Sequence, residues 1–140
     1  RPEPGGAQQE RALHLALERS GIPSGRVGHV NAHATSTPVG DRVEAEVLAR
    51  TMPGAAVSAT KSLTGHLLGG AGGLEAVLTV MALNEEWLPP TLLPGGIDPE
   101  ISRLGLDIVG PYGRRAPGLT TAVSTSFGFG GHNVVLVLSR

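Results

Sequence analysis

Two stretches of this chain share one order: a short β-favouring run, a polar loop with a single histidine, then a helix pattern. In the first, Val27 to Ala32 feeds His33-Ala34-Thr35-Ser36-Thr37-Pro38, and a helix carrying Val43, Val47 and Leu48 follows. Thr37 and Pro38 suit its N-cap and first helical residue. In the second, Ala55 to Ala59 leads through Lys61 to His66 and into an apolar helix from about Leu67 to Asn84. Strands alternating with helices predict an α/β fold, a sheet whose strand-end loops carry any site.

The rest of the chain fits that frame. Ala12, Leu13, Ala16 and Leu17 recur at helical spacing until Ser20-Gly21-Ile22-Pro23 stops them, which predicts a first amphipathic helix. Beyond Pro89-Pro90, strands are predicted at Leu104 to Val109, Leu119 to Val123 and Val134 to Leu138. The last two flank the glycine-rich run Ser124 to His132, which is expected to be an oversized hairpin connection that brings backbone close to something. Residues 1–6 are rich in Pro and Gly and are expected to form a loose lead-in, and a start without methionine suggests part of a longer chain.

At 140 residues and 40% hydrophobic, one domain over 1–140 with its own core is expected. Net charge is −1, Lys and Arg are scattered, and aromatics make up 3%, so both the electrostatic footprint and the stacking platform of a nucleic-acid binder are missing. No apolar stretch reaches about 18 residues, so neither a membrane span nor a signal peptide is read here, and a cytoplasmic protein is expected. The absence of cysteine excludes a disulfide scaffold, a Cys-based zinc site and a thiol nucleophile within these residues.

His33 lies among small and hydroxylated residues, where polar loop residues bind or catalyse. The plain alternative is a histidine capping the next helix. His66 stands at the opening of a helix, whose dipole disfavours an imidazolium, so a neutral ring offering one N–H is expected. A structural hydrogen bond is the alternative. Lys61, Asp41 and Glu75 could converge on the histidines as a charge network. Each alone equally fits a solvated charge, and Asp41 could simply complement the dipole of its own helix. Gly69, Gly70, Gly72 and Gly73 fall inside the predicted helix at about 1 kcal/mol each relative to alanine, which points to close packing against another backbone. Neither a P-loop nor a complete dinucleotide fingerprint supports phosphate binding there. His14 and His29 read as structural, and no HExxH or other close metal-ligand spacing argues for a metal.

Together, Val30 to Asp41, Thr60 to Glu75 and Ser126 to Asn133 resemble the C-terminal part of β-ketoacyl-acyl-carrier-protein synthases of the KAS II type, over nearly the whole chain. His132 in Gly-Gly-His-Asn looks like actinobacterial members, where many others carry threonine. The resemblance implies the C-terminal half, incomplete, of a thiolase-like fold with a mixed sheet flanked by helices. It implies a decarboxylative Claisen condensation in which a cysteine is acylated, malonyl-carrier protein loses carbon dioxide and the enolate attacks the acyl-enzyme.

On that resemblance His33 and His66 are the two histidines of a Cys-His-His triad, steadying the malonyl thioester oxygen as it gains charge. Lys61 and Glu75 match the family's buried pair beside them. Thr35 and Thr37 match the threonines that bond the phosphopantetheine arm. Phe129 matches the gating phenylalanine whose backbone N–H serves the acyl oxyanion hole, and Gly128, Gly130 and Gly131 would let its loop swing. No cofactor is expected on the enzyme itself, since substrates ride on the phosphopantetheine of the carrier protein. The nucleophilic cysteine belongs to the family's N-terminal half, so these residues alone are expected to be inactive. Expected partners are that half, acyl carrier protein and a second full chain in a homodimer or heterodimer. The alternative reading is a non-catalytic partner of the chain-length-factor kind.

Overall fold

The computed structural model describes residues 5–140, and of Phe129 the backbone only. Residues 1–4 of the expected lead-in lie outside the described residues, while Gly5 forms a turn and Gly6 is the left-handed N-cap of the first helix. Five helices are described: α1 (Ala7–Ser20), α2 (Pro38–Thr51), α3 (Lys61–Thr64), α4 (Ala71–Glu85) and α5 (Pro99–Ser102). The strands are β1 (His29–Asn31), β2 (Ala56–Ser58), β3 (Trp87–Leu88), β4 (Asp107–Ile108), β5 (Arg114–Arg115), β6 (Thr121–Phe127) and β7 (Asn133–Ser139).

β4, β2, β1, β6 and β7 form one mixed sheet in that order, and β3 pairs with β5 in a small ribbon. The first four are parallel, while β7 runs antiparallel to β6. His29 stands opposite Ala56 on one side and Ala122 on the other, which sets the register across the centre. Successive side chains point to opposite faces. Val30, Val57 and Val123 therefore meet Leu13, Leu17, Val47 and Leu48 of α1 and α2. Ala56 and Ala122 join Leu83 of α4 on the reverse face. Central parallel strands buried on both sides read as continuous apolar runs, which is why Val27 to Ala32 and Ala55 to Ala59 were legible as strands.

Differences from the sequence reading are local. The predicted helix from Leu67 divides into a 3₁₀ turn over Leu68–Gly70 and α4 proper. Gly69 and Gly70 thus precede the helix, and a Cβ on Gly73 would meet open space. Close approach holds at Gly72 alone, where a Cβ would come within 3.3 Å of Ser126 Oγ. β6 continues through Phe127, so the hairpin connection shrinks to residues 128–132, because Ser124 to Phe127 pair in ladder with β7. Helix α5 adds an element: Asp98 accepts from Glu100 N–H as its cap, and Pro99 opens it.

Among the described residues, no helix is long and apolar enough to cross a membrane. β7 ends the sheet with seven residues, no charged side chain, and Val134 and Leu136 exposed. Helix α4 is apolar nearly all round, with Val77, Val80 and Met81 exposed on the side away from the sheet. Such a helix belongs in an interior.

Candidate active site

β1 and β2 deliver their following loops to the same end of the sheet, as parallel neighbours must, and this places His33 beside Lys61. The two imidazoles of His33 and His66 lie edge to face with centroids 5.7 Å apart. Phe127, at the end of β6, packs its ring 6.2 Å from His33. His33 is half-buried and His66 is exposed.

Hydrogen bonds set the tautomers. Lys61 Nζ stands 3.2 Å from His33 Nδ1, and an ammonium carries donors only, so Nδ1 accepts and the ring proton sits on Nε2. Leu68 N–H donates to His66 Nδ1 at 3.1 Å, so a neutral His66 ring also carries its proton on Nε2. The His33 pKa falls to about 4, first through burial and then through the charge of Lys61 and the neighbouring His66. The expected helix N-terminus is not what orients His66, since α4 begins at Ala71; the Leu68 amide in the intervening turn does so.

Lys61 and Glu75 form a buried ion pair, as the charge-network expectation has it. Asp41 does not join them: its Oδ1 accepts from Ser36 N–H at 3.1 Å, and burial raises its pKa. It anchors the His33 loop instead. Thr37 occupies the N-cap position with no side-chain cap bond; its hydroxyl lies 3.4 Å from that of Thr35. Gly40 makes this possible, because a Cβ there would sit 2.4 Å from Thr37 Oγ1. Gly130 and Gly131 take left-handed φ of 76° and 80° in the turn after Gly128, whose N–H donates to His132 O. The expected gate at Phe129 has its side chain outside the described residues.

Residues overlooked in the sequence hold the loop from beneath. Glu44, buried in α2, accepts from His33 N–H at 2.9 Å, Ala34 N–H at 2.8 Å and the Thr125 hydroxyl at 2.7 Å. Burial pushes its pKa up, against the three hydrogen bonds that pull it down. Ala34 and Ser36 take positive φ of 34° and 64°, a backbone that L residues adopt only when neighbours enforce it. Asn31 ties β1 to α4 by donating to Glu75 O and Thr79 Oγ1, and accepts from Thr60 Oγ1. In sequence Glu44 is one more acidic helix residue, and only its position between Val43 and Ala45 on the buried face hints at more.

Comparison with known proteins identifies the family and the fold. The sequence profile described as "Beta-ketoacyl synthase, C-terminal domain" matches residues 1–93. The 3-oxoacyl-acyl-carrier-protein synthase 2 of Synechocystis is 46% identical over 99% of this chain and 33% of its own length. Its namesake in Mycobacterium bovis is 42% identical over the same shares. Among solved structures, a β-ketoacyl synthase from Burkholderia phymatum superposes with a TM-score of 0.87 at 37% identity, covering 96% of this chain and 32% of that one. A ketosynthase in complex with its chain length factor from Xenorhabdus doucetiae gives 0.87 at 34% identity, covering 99% and 34%. The chain spans about a third of the length of these relatives. A mixed sheet between helices, two strand-end histidines and these likenesses together establish that the chain belongs to the β-ketoacyl synthases, as a C-terminal portion of the KAS II type with a thiolase-like fold.

Proposed function

We propose that this chain supplies the histidine pair of a β-ketoacyl-acyl-carrier-protein synthase that extends an acyl chain by decarboxylative Claisen condensation. The reading rests most on the two adjacent imidazoles, each with Nδ1 engaged and Nε2–H left as donor. In the reaction, the bond from the malonyl α-carbon to its carboxylate breaks and its electron pair forms an enolate. His33 and His66 donate to the thioester oxygen as it becomes negative. The enolate carbon then attacks the acyl carbonyl, and a cysteine thiolate contributed by the rest of the enzyme leaves. A depressed His33 pKa suits a donor that stays uncharged and gives up no proton.

Lys61, held by Glu75, fixes the His33 tautomer. Thr35 and Thr37 present their hydroxyls to the phosphopantetheine arm of the carrier protein, and the turn at Gly128, Phe129 and Gly130 lends an N–H to the acyl oxyanion. Asp41 supports the loop rather than the chemistry. The partners are the remainder of the enzyme, acyl carrier protein and a second chain, in the cytoplasm, with no cofactor on the enzyme itself. Exposed Leu63, Leu67 and Leu68 beside His66, together with the apolar α4, are the surface the remainder would cover, so the 140 residues alone would not turn over.

The test is malonyl-thioester decarboxylation and acyl elongation by the whole protein. His33→Ala and His66→Ala should each slow decarboxylation about 10²-fold to 10³-fold, the cost of one oxyanion donor. Normal elongation by either variant rejects the assignment. A second reading, a chain-length-factor-like partner, draws on the ketosynthase in complex with its chain length factor among the structural relatives. A remainder lacking the nucleophilic cysteine would establish it instead.

A further inference from the structure

The loop from Ala32 to Ser36 has two sides. His33 faces the candidate active site, whereas Ala34 and Ser36 line a separate cavity of about 250 Å³ on the α2 side of the sheet. Its walls are largely apolar: Val57 and Ile108 from the sheet, Ala45 and Leu48 from α2, Ile97 from the strap that leads to α5 and Ile101 from α5 itself. None of His33, Thr35, Thr37, Lys61 or His66 lines it. The hollow exceeds the roughly 150 Å³ that suffices for benzene in an apolar protein cavity.

Its charged groups are all acidic, beside the hydroxyls of Ser36 and Thr91. Asp41 is half-buried at the wall with one oxygen held by Ser36 N–H, and Asp98 stands at the strap, paired with Arg42 at 2.8 Å. Glu44 also borders the cavity, but its oxygens are taken by His33, Ala34 and Thr125. Of the cations nearby, Arg42 is taken by Asp98 and Lys61 is spoken for by Glu75. A carboxylate against an apolar wall favours a guest whose positive head replaces the water it has lost.

We propose that this cavity is a second small-molecule site, for an apolar molecule of about six to ten heavy atoms bearing a cationic head, seated behind the His33 loop. Its head pairs with Asp41 and its body lies between Leu48, Ile101 and Ile108. Because Ala34 belongs to the loop that carries His33, and Asp41 at the start of α2 holds that loop through Ser36 N–H, occupation of the cavity is coupled to the histidine site through one peptide segment.

The inference stands apart from the proposed condensation and is tested without activity. The intact protein is labelled at isoleucine methyl groups and titrated with hexylammonium, with hexanoate and hexanol as matched probes. Hexylammonium should shift the methyl signals of Ile97, Ile101 and Ile108 saturably while Ile22, in the loop after α1, stays still. Hexanoate should bind at least about tenfold more weakly, a difference of about 1.4 kcal/mol. Ala45→Leu fills the hollow and should abolish the shifts; should that variant fail to fold, Ile97→Trp fills it from the strap. Absence of saturable shifts, equal response to hexanoate, or shifts that survive a folded cavity-filling variant would overturn the proposal.

Discussion

Replacing Glu44 by glutamine tests whether the loop beneath His33 is held by charge or by shape. The carboxylate takes His33 N–H and the Thr125 hydroxyl on one oxygen and Ala34 N–H on the other. A glutamine has one acceptor oxygen. In its better orientation that oxygen keeps His33 and Thr125, and its NH₂ meets the Ala34 N–H head on. The Ala34 N–H and the NH₂ facing it then both lack an acceptor, and the lost N–H bond alone costs about 1–3 kcal/mol. Relief of the buried charge opposes this, since burial already raises the Glu44 pKa. The net loss of stability should be near the lower figure, about 1 kcal/mol, in urea unfolding of the whole protein. The effect on rate should be larger. Ala34 sits at φ 34°, and freed of the carboxylate its backbone relaxes, carrying His33 with it. A displacement of about 1 Å at a catalytic group costs on the order of 10²-fold. Malonyl-thioester decarboxylation should therefore fall about 10²-fold in a variant that remains folded. A rate within about twofold of the parent would refute the clamp.

Three further outcomes follow from the same contacts. His29 is buried, with Nε2 2.9 Å from Ser58 Oγ, and burial lowers its pKa from 6.5 to about 4. The unfolded chain binds this proton more readily, so the stability is complete above about pH 6.5 and is lost as pH falls toward 4, by at most about 3 kcal/mol; urea midpoints at pH 7 and 4.5 should differ less in His29→Asn, and an equal difference would contradict the assignment. Lys61→Met leaves Glu75 buried without its partner, at about 3–5 kcal/mol, and the double variant Lys61→Met with Glu75→Leu should recover most of that loss by the same measurement. Gly40→Ala places a Cβ 2.4 Å from Thr37 Oγ1 and should turn that hydroxyl away, raising KM for malonyl-carrier protein about fivefold, the worth of one hydrogen bond, with kcat retained.

Much of this architecture was visible in the residues. The repeated order of apolar run, polar loop and helix signal was enough to place β1, β2 and α2, because parallel central strands need apolar side chains on both faces and Pro38 opens a helix well. The same order put His33 and Lys61 at one edge of the sheet. Glu44 escaped because a helix tolerates glutamate anywhere along its length, and burial is decided by what packs against it. Ser124 and Thr125 resembled loop residues, since their hydroxyls are common in turns; pairing with β7 and the call of Glu44 on Thr125 keep them in the strand. The start of α4 was misplaced because Gly69 and Gly70 do not announce which side of a helix boundary they occupy. Asp98 before Pro99 did carry a start signal for α5, short enough to pass unnoticed.

The ribbon of backbone between Ala32 and Ser36 is a partition one residue thick. Bulk added to Ala34 intrudes on the rear chamber and presses on the peptide that carries His33, so the chamber cannot be reshaped while the dividing wall stays put. Whoever resizes the rear chamber must expect the histidine in front of it to move as well.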